Sequence, residues 1–205
     1  GKYARVGNDH PIPESDPFHN NELPQRQYDP EKAAFHAKKA GLGAADIVLS
    51  ASDAAFNGAI DMSVLFQATA GAAGIPVKVR REPNDGFWEN VWLKAPFMTS
   101  YWGGRPAATQ MMATAYSAAA PWNDTHWKND AFEKLLADAK ATTDQAKRKD
   151  YIWEMQRMLH ENGGAIIPLF KDWLDVHDVK VKGHTPHGMF DMCNSRIVQK
   201  AWIEA

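Results

Sequence analysis

Between residues 29 and 102 the sequence changes period repeatedly, from helical spacing to short β-branched runs and back, and this alternation limits what the chain can fold into. Asp29-Pro30 supplies a helix N-cap followed by a first-turn proline, where the missing N–H costs nothing. Ala33, Ala37 and Ala40 follow at helical spacing, and Gly41 stops the helix. Residues 46–50, DIVLS, read as a short buried strand. Ser52 or Asp53 then caps a second helix, with Ile60, Val64, Ala68 and Ala72 on its apolar face and Gly74 at its end. IPVKVRRE, residues 75–82, is a strand alternating Val77, Val79 and Arg81; residues 85–93 read as a short helix; PFMTSYW, residues 96–102, reads as a third strand. A helix in every gap is what parallel strands require, because a tight hairpin cannot join them. The order therefore predicts an α/β layer with mainly parallel strands.

The flanks read differently. Residues 1–28 hold four prolines and little periodicity, which predicts an extended lead-in. Beyond the α/β stretch, Asn129 caps a helix carrying Phe132, Leu135, Leu136 and Ala139 on one face. Thr142 and Gln145 have the spacing of a capping box for the next helix, whose apolar positions are Tyr151, Met155, Met158 and Leu159, and which ends at Gly163-Gly164. AIIPLF, residues 165–170, reads as a strand whose internal proline confines it to a sheet edge or a crossing. Residues 171–205 alternate short strand-like runs with turns rich in His, Gly and Pro, too thin for a core of their own.

Composition narrows the function classes. With 44% hydrophobic and 23% charged residues, the chain has enough apolar material for a real core. A net charge of -2 without a basic stripe argues against a nucleic-acid partner. No apolar run nears the roughly 18 residues of a membrane span. The polar, proline-rich start GKYARVGNDHPIPESDPF has no signal-peptide pattern and reads as the middle of a longer chain. The single cysteine, Cys193, excludes an internal disulfide framework. There is no nucleophile elbow, phosphate-cradling glycine loop or HExxH motif, so no catalytic residue and no cofactor is expected. His184 and His187, with Asp191 and Cys193 downstream, are the one tight group of metal-ligand types; Pro186 and Gly188 place it in a turn, and no metal site is expected.

Several segments, taken in order, resemble one family. PIP ahead of YDPEKAAFHAKKAGL resembles a proline-rich crossover that enters a helix begun by "YDP-x-KA" and closed by "AG". The run from Asn123 through Trp127, Asn129, Phe132 and Glu133 to Leu135-Leu136 resembles an "N-x-x-x-(aromatic)-x-N-x-x-F-(D/E)-x-L-L" segment, and Arg148, Tyr151, Gln156 and IPLF at 167–170 follow in family order. Together they resemble the family-5 extracytoplasmic solute-binding proteins, the oligopeptide-, dipeptide- and nickel-binding receptors of ABC importers. The resemblance implies a type II periplasmic-binding-protein lobe, a mixed central sheet flanked by helices. It divides the chain into a crossover at 1–28, a C-terminal ligand-binding lobe at 29–166 and a return segment at 167–205 that packs on an N-terminal lobe of the same protein. It further implies a periplasmic or extracytoplasmic place, membrane-anchored in a Gram-positive cell, and a membrane permease as partner. The activity implied is capture of a peptide-like or acidic small solute, without chemistry. The rival reading is an enzyme or sensory domain that borrowed the fold.

The candidate site follows from where α/β folds hold ligands, outside the carboxyl ends of strands. Tyr101 and Trp102 offer flat faces there, Gly103 and Gly104 permit close backbone approach, and Arg105 follows. In peptide-binding relatives this place reads "W-x-(G/A)-D", with the aspartate on the ligand's ammonium group. Arg105 stands at the matching position, and a guanidinium favours carboxylate or phosphate, so an acidic conjugate is the expected solute; the alternative is an Arg105 that faces solvent or a nearby carboxylate. Ser50 and Ser52, at a strand end leading into a helix, are expected either to present N–H groups to an anion or simply to cap the helix. Trp122 and Asn123 lie near the cleft if the family match holds, or Asn123 ties down its own loop.

Overall fold

The computed structural model describes residues 3–42 and 47–204. In chain order the elements are β1 (Ala4–Val6), α1 (Pro30–Lys39), β2 (Ile47–Ala51), α2 (Ala59–Ala72), β3 (Val77–Arg81), α3 (Phe87–Asn90), α4 (Ala108–Ala115), α5 (Asp130–Ala141), α6 (Gln145–Asn162), β4 (Leu169–Lys171), β5 (Val181–Lys182), α7 (Asp191–Ser195), α8 (Ile197–Lys200) and β6 (Trp202–Ile203). The class is mixed α/β, as expected. The chain divides into two compact units, Arg26–Gly103 and a discontinuous one made of Gly1–Gln25 with Gly104–Ala205. The boundaries expected at 28 and 166 concern the division of a longer protein and return below as part of a proposal.

In the unit Arg26–Gly103, Asp29 caps α1 by accepting from the Lys32 N–H at 2.8 Å, with Pro30 opening the helix and Gly41 beyond its end at φ +65°. β2 and β3 pair in parallel, Ile47 opposite Val77 through Ala51 opposite Arg81. The third strand is reduced to one parallel bridge, Ser50 to Met98, made by the Ser50 N–H to the Phe97 carbonyl and the Thr99 N–H to the Ser50 carbonyl, both at 3.0 Å. Asp46 lies outside the described residues, so of the expected strand 46–50 only Ile47 onward is described.

Two expectations for α2 are corrected. The helix starts at Ala59, after Gly58 at φ +89°, so neither Ser52 nor Asp53 is its N-cap; Asp53 instead reaches forward to accept from the Ile60 N–H at 3.2 Å. Its buried positions are Ala59 and Ser63, whereas Val64 is exposed. Apolar residues are spread around this helix, so they give no clear period from which to read its inner face. The core beneath is Ala55, Ala59, Phe87 and Val91, with Phe56 and Met98 packed against it.

The other unit is built on helices. Asn129 caps α5 by accepting from the Phe132 N–H at 3.1 Å. Phe132, Leu136 and Ala139 are buried on α5, Ile152, Met155 and Leu159 on α6, and Met111, Met112 and Ala115 on α4; α5 packs along α6 and α4 against α5. The capping box expected at Thr142 and Gln145 does not form: Asp144 takes the end, accepting from the N–H groups of Ala146 and Lys147. A carboxylate there also suits the positive end of the helix dipole. β4 pairs antiparallel with β1, Ala4 opposite Lys171 through Val6 opposite Leu169. Pro168 stands just before β4, where its carbonyl still accepts from the Gly7 N–H at 2.9 Å. The lead-in is more than a connector: His10, Ile12 and Asn20 are buried.

Candidate functional site

At the carboxyl end of β2 and β3 the chain turns outward and carries an aromatic cluster. Gly86 precedes α3 at φ +71°, a left-handed backbone that favours glycine. Phe87 is buried and anchors Trp88 edge-on at 5.3 Å. Trp88 in turn meets Trp92 and Tyr101 edge-on, each at 5.7 Å. The series runs from core to surface: Phe87 is 1% exposed, Trp88 38% and Tyr101 58%. Edge-to-face is a favoured arrangement of aromatic rings, and the outer members of the cluster keep part of their surface exposed. Trp102 and Gly103 follow, both half-buried. The Trp88–Tyr101 pairing is non-local; the nearest sequence signal is the i, i+4 spacing of Trp88 and Trp92.

Ser50 and Ser52 are turned inward, which corrects the expectation that they present N–H groups to an anion. The Ser50 N–H is used by Phe97, and its hydroxyl accepts from Arg80 Nη2 at 2.8 Å. The Ser52 N–H goes to Thr99 Oγ1 at 3.4 Å, and its hydroxyl donates to Asn84 Oδ1 at 2.7 Å and accepts from the Ala54 N–H. These bonds close a buried corner that fixes where the strand ends. Beside it, Arg80 Nε donates to Glu82 at 2.5 Å. Burial pulls the Glu82 carboxyl up, but the hydrogen bonds from Arg80 and Ser50 and the Arg80 charge outweigh it and hold it below the usual carboxylate range.

The remaining expected site residues belong to the helical unit. Gly104 packs under Met189, whose Cγ would lie 3.0 Å from an added Cβ, and Arg105 Nη1 donates back to the Gly104 carbonyl at 3.1 Å. Trp122 is half exposed. Asn123 is buried and ties its loop, donating to the carbonyls of Ser117 and Trp127 and accepting from the Thr125 hydroxyl. So the segment 101–105 runs through the unit boundary, with Tyr101, Trp102 and Gly103 on one side and Gly104 and Arg105 on the other.

No family model matches the chain. It is 26% identical over 181 residues to the dipeptide-binding protein of Escherichia coli, covering 81% of this chain and 33% of that protein. Among solved structures, it is similar over its whole length to the ABC-transporter-associated periplasmic binding protein DppA of Helicobacter pylori in complex with the peptide STSA. There the TM-score is 0.76, with 20% identity and 40% of that chain covered. NikZ of Campylobacter jejuni, in complex with Ni(L-His), matches with a TM-score of 0.75 and 20% identity, over 89% of this chain and 40% of that one. This is the fold of the family-5 solute-binding proteins. The chain spans between a third and two fifths of the length of these solute-binding relatives.

Outside the candidate site, the residues considered for metal binding are used otherwise in this solute-binding fold. His184 Nε2 pairs with Asp175 Oδ2 at 2.8 Å, and His187 Nδ1 accepts from the Met189 N–H. The hydrogen bond from His184 is the main reason the Asp175 carboxyl lies below its ordinary value. Among the described residues no group of three His, Cys, Asp or Glu is placed to hold a metal ion. Nor is any described helix long and apolar enough to cross a membrane.

Proposed function

We propose that the chain is one lobe of the solute-binding subunit of an ABC importer, which captures a peptide-like or acidic small solute and delivers it to a membrane permease. The observation that carries this reading is the exposed Trp88–Tyr101 face at the carboxyl end of the parallel pair β2 and β3. The solute stacks on that face and bonds to main chain at Gly103. Arg105 takes its carboxylate or other anionic group. The work is binding without bond chemistry, and the protein acts outside the cytoplasm, as the periplasmic binding protein from Helicobacter pylori does by its description.

The division into a crossover at 1–28, a lobe at 29–166 and a return at 167–205 belongs to this proposal. It is supported by the apolar surface the return segment leaves open: Val176 is 92% exposed, Val198 90% and Ile203 77%, beside exposed Trp173 and Trp202. A stretch this apolar is accounted for by a covering surface, here the N-terminal lobe of the longer protein. The β1–β4 pair then forms the crossing strands about which the lobes close, and solute shifts the open–closed balance by preferring the closed state.

Calorimetry tests the proposal. A panel of dipeptides, sugar–amino-acid conjugates and Ni(L-His) chelate is titrated into the full-length protein and into residues 1–205 alone. The full-length protein is expected to bind at least one class at micromolar Kd or tighter, about -8 kcal/mol, and the 205-residue chain at least 100-fold more weakly. Equal affinity would mean that this lobe holds the whole site and that closure plays no part.

A further inference from the structure

The lead-in is pinned to α6 by side chains remote in sequence. The Asn20 N–H donates to Gln156 Oε1 at 2.9 Å, Gln156 Nε2 donates to the Phe18 carbonyl at 2.7 Å, and Asn20 Nδ2 donates to the Trp153 carbonyl at 3.3 Å. His160 Nδ1 pairs with the Asn8 carbonyl at 2.9 Å, and His19 Nδ1 with the Ile12 carbonyl at 2.8 Å. In the middle of this docked segment sits His10. It is 1% exposed, and neither of its ring nitrogens has a hydrogen-bond partner among the described residues. Trp153 Nε1 is likewise buried without a partner among the described residues, but an indole N–H takes up no proton near neutral pH; the His10 ring is the titratable group left unsatisfied there, and it contributes nothing to holding the segment that an apolar ring would not.

We propose that His10 is a proton-sensitive latch: neutral, it lets residues 8–20 dock on α6, and protonated, it releases them.

The surroundings supply the reason. An imidazolium in this place would bury two N–H donors and a charge without an acceptor. The titratable groups facing it add to the cost. His19, on its own segment, lies 5.3 Å away ring to ring, and His160 approaches from α6. Asp9, its neighbour in the chain, accepts from the Ile167 N–H at 2.8 Å, and Asp9 and Asp124 bear on the buried Tyr116 phenol at the end of α4; the charges that bear on His10 are those of the two histidines. Burial first, then His19 and His160, lower the His10 pKa from 6.5 to about 4.

The sign follows from linkage. The released segment takes up a proton near the ordinary value, while the docked one resists until about pH 4. Docking is therefore at full strength above pH 6.5. It weakens by about tenfold per unit as pH falls below that, up to a factor of about 300 across the window. Residues 7–9 follow directly on β1, and Gly7 is pressed against Ile167, whose carbonyl oxygen would lie 2.0 Å from an added Cβ. Release would thus loosen the root of the β1–β4 pair. The latch itself rests on this unit alone; only its bearing on lobe closure rests on the solute-binding reading.

Hydrogen exchange of the amides in residues 8–20, measured without solute between pH 7.5 and 4.5 and corrected for intrinsic rates, tests the latch apart from any binding. The wild-type protein is expected to lose protection by about tenfold per unit below pH 6.5, and His10→Leu to show a flat profile. The same slope in both proteins would overturn the proposal. If His10→Leu does not fold, the His10 ring resonance in the wild-type protein decides: a titration midpoint below about 5.5 carries the latch, and one at or above it overturns it.

Discussion

Phe132→Ala is expected to lower the stability of the helical unit by about 3–5 kcal/mol, the range found when a fully buried aromatic ring is truncated. Phe132 is completely buried in the first half of α5 and packs edge-on against Trp127 at 5.2 Å. The change removes the ring that α5 lays against its neighbours and leaves a cavity rimmed by residues held in place by their own helices. Collapse is restricted from the N-terminal side, because Asn129 caps α5 and the Asn123 side chain fixes the loop before it. Urea unfolding followed by tryptophan fluorescence measures the effect. A loss below about 1 kcal/mol would show that the α5–α6 face is not the core of this unit.

Arg105→Asp is expected to weaken binding of an acidic solute by the full-length protein at least 100-fold. The substitution exchanges a guanidinium for a carboxylate, so it removes an attraction and adds a repulsion; losing a desolvated charge pair alone costs about 2–5 kcal/mol. The same change is expected to leave a neutral or N-terminally charged peptide bound equally well or better, which separates a local charge effect from general damage. In this structure the guanidinium donates to the Gly104 carbonyl, so it stays close to the backbone that a solute would approach. Titration with paired acidic and neutral ligands checks the outcome. Unchanged affinity for the acidic one would remove Arg105 from the site.

Much of this fold was legible because its signals are local. Asp29-Pro30 and Asn129 act within three residues of themselves, and both caps stand where the sequence put them. The alternation of helix and strand likewise survives as the parallel β2–β3 pair. Errors arose where two local signals compete or where none exists. Thr142 and Asp144 are both good caps, and the carboxylate wins by reaching two N–H groups at once. Helix α4 went unread because Ala107 offers no side chain to cap it. The burial of His10, Ile12 and Asn20 was invisible for a different reason: the segment that carries them is held by partners on α6 such as Gln156, well over a hundred residues away.

The candidate site shows the same division. Tyr101 was legible as an aromatic at the carboxyl end of an expected strand, and it is exposed. Its edge-on partner Trp88 was not legible there, because the contact spans a turn shaped by Gly86 and the Ser52–Asn84 corner. Ser50 and Ser52 were misread because a serine at a strand end looks alike whether it faces a ligand or buttresses a turn. Only the partners of its hydroxyl tell the two apart.

Native mass spectrometry of the full-length protein as purified puts the central idea, an aromatic face that grips a solute, to the most direct test. A small molecule is expected to travel with the folded protein, to be released on denaturation, and to be absent from a Trp88→Ala/Tyr101→Ala variant that folds normally. An adduct retained undiminished by that variant would contradict the account.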